Sequence, residues 1–396
     1  MTDLPRIQAA LKQLGLDGWL LLDFRGRNPL AQRILQIPAD AHSTRRYGYA
    51  IPAEGEPRKL LHRIESGQLD HLPGSKHVYL SWQEYEDGLK QLVSGWKTAA
   101  VEYSPQGRNP YISLVDAGTI ELLRSFDVEP VSSGDLVQQF ESALTAEQRK
   151  SHLQAAIHTD EAFTLAWQAI AAAVAEGNTI EETAVQQVIL DHFARHGMVT
   201  DHPPIVARAA HGGNPHYETG TGDDTAIRIG DLVLIDLWAR FDHDEAIYSD
   251  LTRMGYVGTE VPEEYAKVFQ VVAAARDAAV HLLRDRAEAK QPLAGWEVDR
   301  AARDVIREAG YGEYFVHRTG HSIGRETHGN GAHMDDLETH EERKILPGAC
   351  FSIEPGIYLP EFGIRSEINV CIGQDGQVEV TGGPVQQSIR ALLTEK

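Results

Sequence analysis

Residues 232–257 read LVLIDLWARFDHDEAIYSDLTRMGYV. The apolar and β-branched runs 232–237 and 249–257 are typical of two strands that pair as a hairpin across the polar segment between them. Asp236 interrupts a run that is otherwise suited to burial, and an unpaired carboxylate there would be costly to desolvate. Asp250 lies on the return strand. The segment therefore predicts a β-hairpin that carries one carboxylate on each strand and needs a cation nearby.

A second segment repeats this arrangement. Residues 350–372 read CFSIEPGIYLPEFGIRSEINVCI and contain two strand-like runs, with Glu354 in the first and Glu367 in the second. These glutamates are 13 residues apart, and the two aspartates of the first hairpin are 14 apart. Each acid alone could be an exposed strand end or half of an ion pair. Four acids in matched positions would repel one another unless metal ions neutralised them.

Paired helices are predicted before each hairpin. Residues 145–148 (TAEQ) form a capping box that opens a long helix ending near Gly177, and residues 179–182 (TIEE) form a second capping box for a helix that closes at Gly197. Two further helices, over residues 262–289 and 296–308, precede the second hairpin. The order helix, helix, hairpin occurs twice, which predicts a pseudo-symmetric α+β catalytic half.

The N-terminal part of the chain has a different pattern. Helical stretches such as residues 82–96 separate short apolar or β-branched runs at residues 18–24, 48–51, 77–81 and 99–102. A chain of 396 residues exceeds what one hydrophobic core usually organises. We therefore expect a smaller α/β domain over residues 1–142 and the catalytic domain over residues 143–396.

Composition indicates an ordinary globular protein, with 42% hydrophobic and 24% charged residues. The first 19 residues have the pattern of an amphipathic helix rather than an export signal, and no apolar run approaches the ~18 residues of a membrane span. Cys350 and Cys371 lie in apolar, strand-like runs and are expected to be buried free thiols in a reducing cytoplasm. A net charge of −21 disfavours nucleic-acid and anionic-membrane partners.

Histidines complete the candidate site. His321 lies in a glycine-flanked turn, TGHSIG, where the backbone can approach a ligand closely. With four carboxylates it gives an oxygen-rich set with a single nitrogen, which suits Mn²⁺, Co²⁺ or Zn²⁺ and argues against copper or iron–sulfur centres. His216, His317 and His328 lie in neighbouring motifs. Because the chain has 18 histidines, packing or surface roles are the alternative for these three.

The motifs NPHY, GDLVLIDL, YSDLTR, HRTGHSIGRETH, FSIEPGIY and GIRSEINV, within residues 214–370, carry a resemblance to a known family. They resemble the pita-bread metallopeptidases, which include methionine aminopeptidase, aminopeptidase P and prolidase. The N-terminal α/β domain is similar to that of the prolidase, aminopeptidase P and creatinase branch. His317, and Arg365 two residues before Glu367, also point to this branch.

The resemblance implies a role for each motif residue. Asp236 would bind one of two metal ions, His321 and Glu354 the other, and Asp250 and Glu367 would bridge them. A hydroxide held between the ions would be the nucleophile, and Glu354 would transfer its proton to the leaving nitrogen. The residues that the resemblance assigns to substrate binding or transition-state stabilisation are His216, His317, His328 and Arg365.

This sequence departs from the family pattern at several positions. The aspartates are 14 residues apart where the family usually has 11, so residues 238–248 contain an insertion. Trp238 stands where glycine is usual, Arg325 replaces an aliphatic residue, and Gly329 follows His328 where an acid is common. None of these residues is an expected metal ligand. The departures therefore bear on substrate choice.

The resemblance implies cleavage before proline, with a small proline-containing peptide as substrate and a homodimer as the assembly. The main interpretation is an Xaa-Pro dipeptidase of prolidase type. Aminopeptidase P and proline-specific carboxypeptidase remain alternatives, as does a metal-free creatinase-like hydrolase, although this chain keeps all five ligands. A catalytically silent peptide-binding relative is the alternative of another class.

Two arginines near the metal motifs bear on substrate length. A dipeptidase must recognise a free carboxylate next to the scissile bond, and arginine binds carboxylates bidentately. Arg240 and Arg325 could close the far end of the cleft in this way. Alternatively, both are solvated or pair with the acids of residues 242–245 and 335–342.

Overall fold

The structure, a computed structural model of the chain, describes residues 3–38, 41 and 43–393. The chain divides into two compact units, Met1–Glu141 and Ser142–Lys396. Among the described residues, no helix combines the length and apolar character needed to cross a membrane.

The first unit is built on a six-stranded mixed sheet. Its elements in chain order are α1 (Leu4–Gln13), β1 (Gly18–Asp23), α2 (Pro29–Ile34), β2 (Tyr47–Pro52), β3 (Arg58–His62), β4 (Ser75–Tyr79), α3 (Trp82–Leu92), β5 (Thr98–Val101), α4 (Ala117–Ser125), β6 (Glu129–Ser132) and α5 (Gly134–Val137). The strand order is β4-β3-β2-β1-β5-β6. β1 pairs antiparallel with β2 and parallel with β5. The predicted alternation of helices and short strands is present, although β4 is largely exposed.

The packing of strand β1 explains why its sequence is apolar without alternation. Trp19 and Leu21 belong to a core cluster that includes residues of α1 and α2, whereas Leu20 and Leu22 belong to a second cluster with residues of α3 and α4. Successive side chains of a strand point to opposite faces, so both faces of this strand are covered by helices. A continuous run such as WLLL is the pattern expected for such a strand.

The second unit contains the repeated helix, helix, hairpin order. Its first half comprises α6 (Ala146–Ala175), β7 (Ile180–Glu181), α7 (Glu182–Arg195), β8 (Met198–Val199), β9 (Ile205–Arg208), β10 (Ala226–Ile227), β11 (Leu232–Phe241) and β12 (Ser249–Tyr256). The capping box at the start of α6 is present, with Thr145 and Gln148 bonded reciprocally. β11 and β12 form the predicted antiparallel hairpin, and β9 pairs with the other edge of β11.

The second half follows the same plan. It comprises α8 (Glu263–Glu288), α9 (Gly295–Glu308), β13 (Cys350–Ile353), β14 (Gly356–Tyr358), β15 (Gly363–Arg365), β16 (Ile368–Ile372), β17 (Val378–Thr381) and β18 (Arg390–Ala391). β13 pairs with β16, and β14 pairs with β15, both antiparallel. The long central core of this unit includes residues of α8, α9 and both hairpins. The predicted α+β fold with an internal duplication is confirmed.

The second predicted capping box is wrong. Helix α7 begins at Glu182, and its N-cap residue Glu181 makes no side-chain capping hydrogen bond. Ile180 and Glu181 instead pair as a short strand with β10. The Glu182 side chain is buried and accepts hydrogen bonds from the Arg208 amide at 2.8 Å and the Tyr217 hydroxyl at 2.7 Å. Tertiary partners thus replace the local cap that the sequence pattern predicted.

Candidate metal centre

Five predicted ligands come together in the second unit. Asp236 is on β11 and Asp250 on β12, while the others lie in loops or strand interruptions of the second half: His321, Glu354 and Glu367. Asp250, His321 and Glu367 are buried, and each offers a ligand atom within 4.8 Å of the others. The two repeated halves therefore contribute to one cluster.

The first hairpin presents its aspartates on the face away from the helices. The register pairs Asp236 with Thr252 and Trp238 with Asp250. The Ser249 hydroxyl lies 2.9 Å from the Thr159 hydroxyl of α6, so Ser249 faces the helix layer. Because successive side chains alternate, Asp250 points to the opposite face. The helices cover one side of the sheet and the carboxylates occupy the other.

The second hairpin holds its glutamates at an interruption of the ladder. Ile353 pairs with Ile368 on one side of the interruption, and Gly356 pairs with Arg365 on the other. Glu354 and Glu367 lie between these two pairs. The Glu354 amide leaves the ladder and donates to the Thr319 carbonyl at 2.7 Å. The break frees both side chains to converge instead of following the regular alternation of a strand.

Hydrogen bonds join the two halves at the cluster. The Asn369 side chain accepts from the Asp250 amide at 3.0 Å and donates to the Asp250 carbonyl at 2.5 Å. The Thr252 hydroxyl donates to Glu367 Oε2 at 2.7 Å. Arg253 donates to the Glu367 carbonyl at 2.6 Å. These bonds hold β12 of the first hairpin against the segment of the second hairpin that carries Glu367 and Asn369.

His321 presents a bare nitrogen to two carboxylates. Its Nδ1 lies 3.1 Å from the Ser322 carbonyl, which can only accept, so Nδ1 carries a proton; burial lowers the pKa of the ring and thereby favours the form with an unprotonated Nε2. Nε2 is 3.2 Å from Asp250 Oδ2 and 3.3 Å from Glu354 Oε1. When both acids are ionised, the nitrogen lone pair and the two carboxylate oxygens repel at these separations, and a cation between them would bind all three.

Two buried carboxylate oxygens also indicate that the cluster binds a cation. Among the described residues, Asp236 Oδ1 and Glu367 Oε1 have no hydrogen-bond partner. Burial raises the pKa of Asp236, Asp250, Glu354 and Glu367, and repulsion from neighbouring acids adds to this shift. A buried acceptor without a donor is costly. The oxygen-rich donor set fits divalent metal ions.

Arg365 lies next to the cluster and donates hydrogen bonds to three groups. It donates to Asp236 Oδ2, to the Thr252 hydroxyl at 2.8 Å and to the Tyr358 hydroxyl at 3.0 Å. The Tyr358 hydroxyl is also 2.6 Å from His317 Nε2. His317 Nδ1 faces the Arg318 carbonyl at 2.7 Å, so Tyr358 donates to Nε2 and accepts from Arg365. A continuous hydrogen-bond chain thus runs from Asp236 to His317.

The remaining two predicted histidines surround this group. His328 packs its ring edge-on against His321, with ring centroids 4.4 Å apart, and it is exposed. His216 is exposed in a turn and lies close enough to His317 and His328 to lower the pKa of both. Burial lowers the pKa of His317 to about 3, and the adjacent His321 lowers that of His328 to about 3. Both are therefore neutral at physiological pH.

Both candidate arginines contact the enlarged segment between Asp236 and Asp250. Arg325 pairs with Glu245 at 2.9 Å, and Arg240 donates to the backbone carbonyls of Phe241 and His243. Pairing with acids was the alternative to binding a substrate carboxylate, and Arg325 does pair with an acid. Trp238, which replaces the usual glycine, donates from its indole to Asp201 at 2.5 Å.

The two cysteines are buried free thiols, as predicted, and are a registered pair on β13 and β16. Their sulfurs are 3.3 Å apart. His152 lies beside them, but its ring nitrogens already contact the Tyr248 carbonyl and the Thr381 hydroxyl, each at 2.7 Å.

Several supporting residues were missed in the sequence. Thr252 carried a usable signal, because it is two positions after Asp250 and so shares its strand face. Tyr358 and Asn369 lie within the quoted motifs, but nothing in their local pattern distinguishes a cross-half hydrogen bond from ordinary packing. Ser352, which accepts from the His321 amide and donates to Glu354, is likewise recognisable only from the structure.

The sequence pattern of metallopeptidase family M24 matches residues 150–374, which is more than half of the chain. An Xaa-Pro dipeptidase from Lactobacillus helveticus is 30% identical over 296 residues, covering 74% of this chain and 73% of the relative. The chain therefore belongs to metallopeptidase family M24, in the prolidase and aminopeptidase P branch of the pita-bread proteins. This family uses divalent metal ions.

A probable dipeptidase, PepE, from Mycobacterium bovis is 37% identical over 181 residues. The alignment covers 46% of this chain and 44% of the relative, so it spans less than half the length of that protein. The crystal structure of dipeptidase PepE from Mycobacterium ulcerans superposes with a TM-score of 0.70 at 24% identity, covering 98% of this chain and 96% of that one. The structural likeness extends to both units.

Proposed function

We propose that this protein is an Xaa-Pro dipeptidase that uses two divalent metal ions. The observation that carries the proposal is the position of His321 Nε2, which faces Asp250 and Glu354 at 3.2 and 3.3 Å. Together with the unsatisfied oxygens of Asp236 and Glu367, this arrangement suits bound cations. The family membership supports a hydrolytic use for that charge.

The proposed ligands divide between two ions. Asp236 would hold one ion, and His321 with Glu354 the other. Asp250 and Glu367 would bridge the two, which fits their complete burial between the hairpins. When bound, such a pair supplies Lewis acidity that lowers the pKa of water and polarises the scissile carbonyl. We propose Mn²⁺ as the physiological ion, with Zn²⁺ and Co²⁺ as alternatives.

The protein residues position the substrate and move the proton. Glu354 is partly exposed, unlike Glu367, so it can transfer a proton to the leaving nitrogen. His328 and His216 are exposed beside the cluster and can donate hydrogen bonds to the developing oxyanion. His317 and Arg365 are joined through Tyr358. This connection would orient Asp236 while His317 lines the substrate pocket.

Substrate class and setting form the finer part of the proposal. The Lactobacillus relative is named an Xaa-Pro dipeptidase and the mycobacterial relative a probable dipeptidase, which supports a proline-containing dipeptide as substrate. We also propose a homodimer, from the family resemblance, and a cytoplasmic location, from the buried free thiols.

Substrate length is tested with matched peptides. The Mn²⁺-loaded enzyme is assayed for kcat/KM on Ala-Pro, Ala-Pro-amide and Ala-Pro-Ala, with creatine as a further substrate. The dipeptide should be cleaved fastest, because its free carboxylate is the feature to be recognised. Equal rates on the amide and tripeptide would instead support aminopeptidase P. Turnover of creatine alone would support a creatinase-like hydrolase.

Metal content separates the enzyme from a silent binding protein. Saturation with Mn²⁺ followed by desalting should leave about two ions per chain by mass spectrometry. Less than one retained ion together with no turnover would contradict the dinuclear proposal. Binding of the same peptides without hydrolysis would then favour the peptide-binding alternative.

A further inference from the structure

A second cluster of metal-binding side chains lies on helices α6 and α7. α6 contributes two of its residues at a spacing of three, and the end of α7 contributes two histidines at a spacing of four. Residues at these spacings share one face of a helix. The cluster, here called the helix-pair site, consists of His158, Glu161, His192 and His196.

The helix-pair site is separate from the carboxylate cluster. Thr159, next to His158 in the sequence, contacts Ser249 on the helix-facing side of β12. His158 itself packs edge-on against Phe241 at the end of β11, with ring centroids 6.0 Å apart. Asp250 points to the opposite face of that hairpin. The sheet therefore lies between the two groups, and none of the helix-pair residues belongs to the proposed catalytic set.

The four side chains converge on a small volume. Each offers a ligand atom, and these atoms all lie within 4.8 Å of one another. His158 Nδ1 is 3.0 Å and His192 Nε2 is 3.5 Å from the same oxygen, Oε2 of Glu161. A tetrahedral ion with bonds of about 2.1 Å separates its ligands by roughly 3.4 Å. The two measured separations of 3.0 and 3.5 Å lie close to this value.

His192 supplies an independent indication of a ligand. Its side chain is buried, with 5% of its surface exposed, and its Nε2 has no hydrogen-bond partner among the described residues. The separation of 3.5 Å from Glu161 is too long for a good hydrogen bond. A buried imidazole nitrogen that lacks a hydrogen-bond partner is available to a metal ion.

His196 is oriented in the manner of a metal-binding histidine. Its Nδ1 lies 2.9 Å from the His192 carbonyl, which can only accept a hydrogen bond. The proton therefore resides on Nδ1, and Nε2 remains available as a ligand. A backbone carbonyl behind the ring is a common way to fix the tautomer and orientation of a ligating histidine.

We propose that the helix-pair site binds one borderline divalent cation, Zn²⁺ above all, and thereby clamps α7 to α6. Three imidazoles and one carboxylate match the preference of zinc for mixed nitrogen and oxygen ligands. The hard, oxygen-rich catalytic cluster has a different preference, for ions such as Mn²⁺. The two sites can therefore hold different metals in the same chain.

Metal analysis of variants tests the proposal. The full-length Mn²⁺-loaded protein is equilibrated with a low, buffered concentration of Zn²⁺, desalted and analysed by mass spectrometry. The wild type should retain one more zinc per chain than His196→Asn, which removes an exposed ligand and should not disturb folding. The matched control is His202→Asn, an exposed histidine outside the cluster, which should retain zinc like the wild type.

Two further variants keep the test independent of the catalytic cluster and of folding. Glu367→Gln should lose catalytic metal yet keep the helix-pair zinc. Glu161→Gln should weaken zinc binding at least about tenfold, in a protein with an unchanged circular dichroism spectrum. Zinc should raise the melting temperature of the wild type by more than that of His196→Asn. Equal zinc content in the wild type, His196→Asn and Glu161→Gln would overturn the proposal.

Discussion

At the scale of single residues, the candidate centre is marked by buried carboxylate oxygens that lack hydrogen-bond partners among the described residues. Glu367 accepts one hydrogen bond from Thr252 through Oε2, while Oε1 has no partner among the described residues. Asp250 is held by backbone contacts to Asn369, so its carboxylate is free to approach His321. An acid with one satisfied and one unsatisfied oxygen is suited to bridge a structural donor and a cation.

We expect Asp250→Asn and Glu367→Gln each to abolish peptidase activity. An amide removes one negative charge from the position that would bridge two cations, so both ions would be under-neutralised. Metal content should therefore fall together with turnover, as measured by mass spectrometry and a peptide assay. The control is Glu361→Gln, which neutralises an exposed acid close in sequence. Normal turnover with both ions retained in either bridging variant would contradict the dinuclear assignment.

His328→Ala should separate catalysis from metal binding. His328 packs against His321 but is exposed and is not one of the proposed ligands. Loss of one donor to a developing oxyanion typically slows turnover by roughly two to three orders of magnitude. We expect that loss in kcat with unchanged metal content, whereas His281→Ala on α8 should be silent. Metal loss in His328→Ala would mean that His328, and not only His321, binds an ion.

At the scale of elements, the loop that carries His321 depends on close backbone packing. A Cβ on Gly320 would lie 2.0 Å from the Ser352 carbonyl oxygen of β13. Gly320 also forms a β-bridge with Met334, and the His321 amide donates to the Ser352 hydroxyl. A side chain at position 320 must therefore push the loop away from the strand that leads to Glu354.

Gly320→Ala should consequently lower both stability and metal affinity. Overpacking of this kind costs about 1–3 kcal/mol, and the displaced loop would carry His321 away from Asp250. The control is Gly324→Ala in the same turn, where the nearest atom to an added Cβ is 3.9 Å away. Chemical denaturation and metal titration measure the two effects. If Gly320→Ala matches Gly324→Ala in both, the proposed coupling between packing and metal binding is wrong.

Elements with strong local patterns were predictable from the sequence. The paired helices follow from their start and stop signals, among them the Thr145 cap, and both hairpins follow from their apolar and β-branched runs. The short strand β7 could not be predicted in this way, because its partner β10 is far away in the chain. The same limit applies to the site: acids in buried runs were visible, but Asn369 and Tyr358 act through cross-half contacts that no local pattern records.

At the scale of the whole molecule, the acids of the candidate metal centre link stability to pH. Without metal, burial raises the pKa of Asp236 to about 6 and of Asp250 to about 7. In the unfolded chain both carboxyls return to ordinary values near 4, according to model peptides. At these two acids the folded metal-free protein therefore binds protons that the unfolded chain has released. Their contribution to stability is full below about pH 4 and is lost as the pH rises through 6 and 7.

Metal binding should reverse this dependence. The ions bind deprotonated ligands, so protons compete with them and the stabilisation by metal should grow as the pH rises from 5 to 8. We expect the melting temperature of chelator-treated protein to fall over this range, and the difference between loaded and metal-free protein to widen. Scanning calorimetry at several pH values measures both curves. Asp250→Asn, which lacks one of the titrating groups, should show a shallower fall in the metal-free state. A metal-free melting temperature that stays constant or rises across this range would show that the acids are already neutralised by protein groups, and the requirement for cations would be lost.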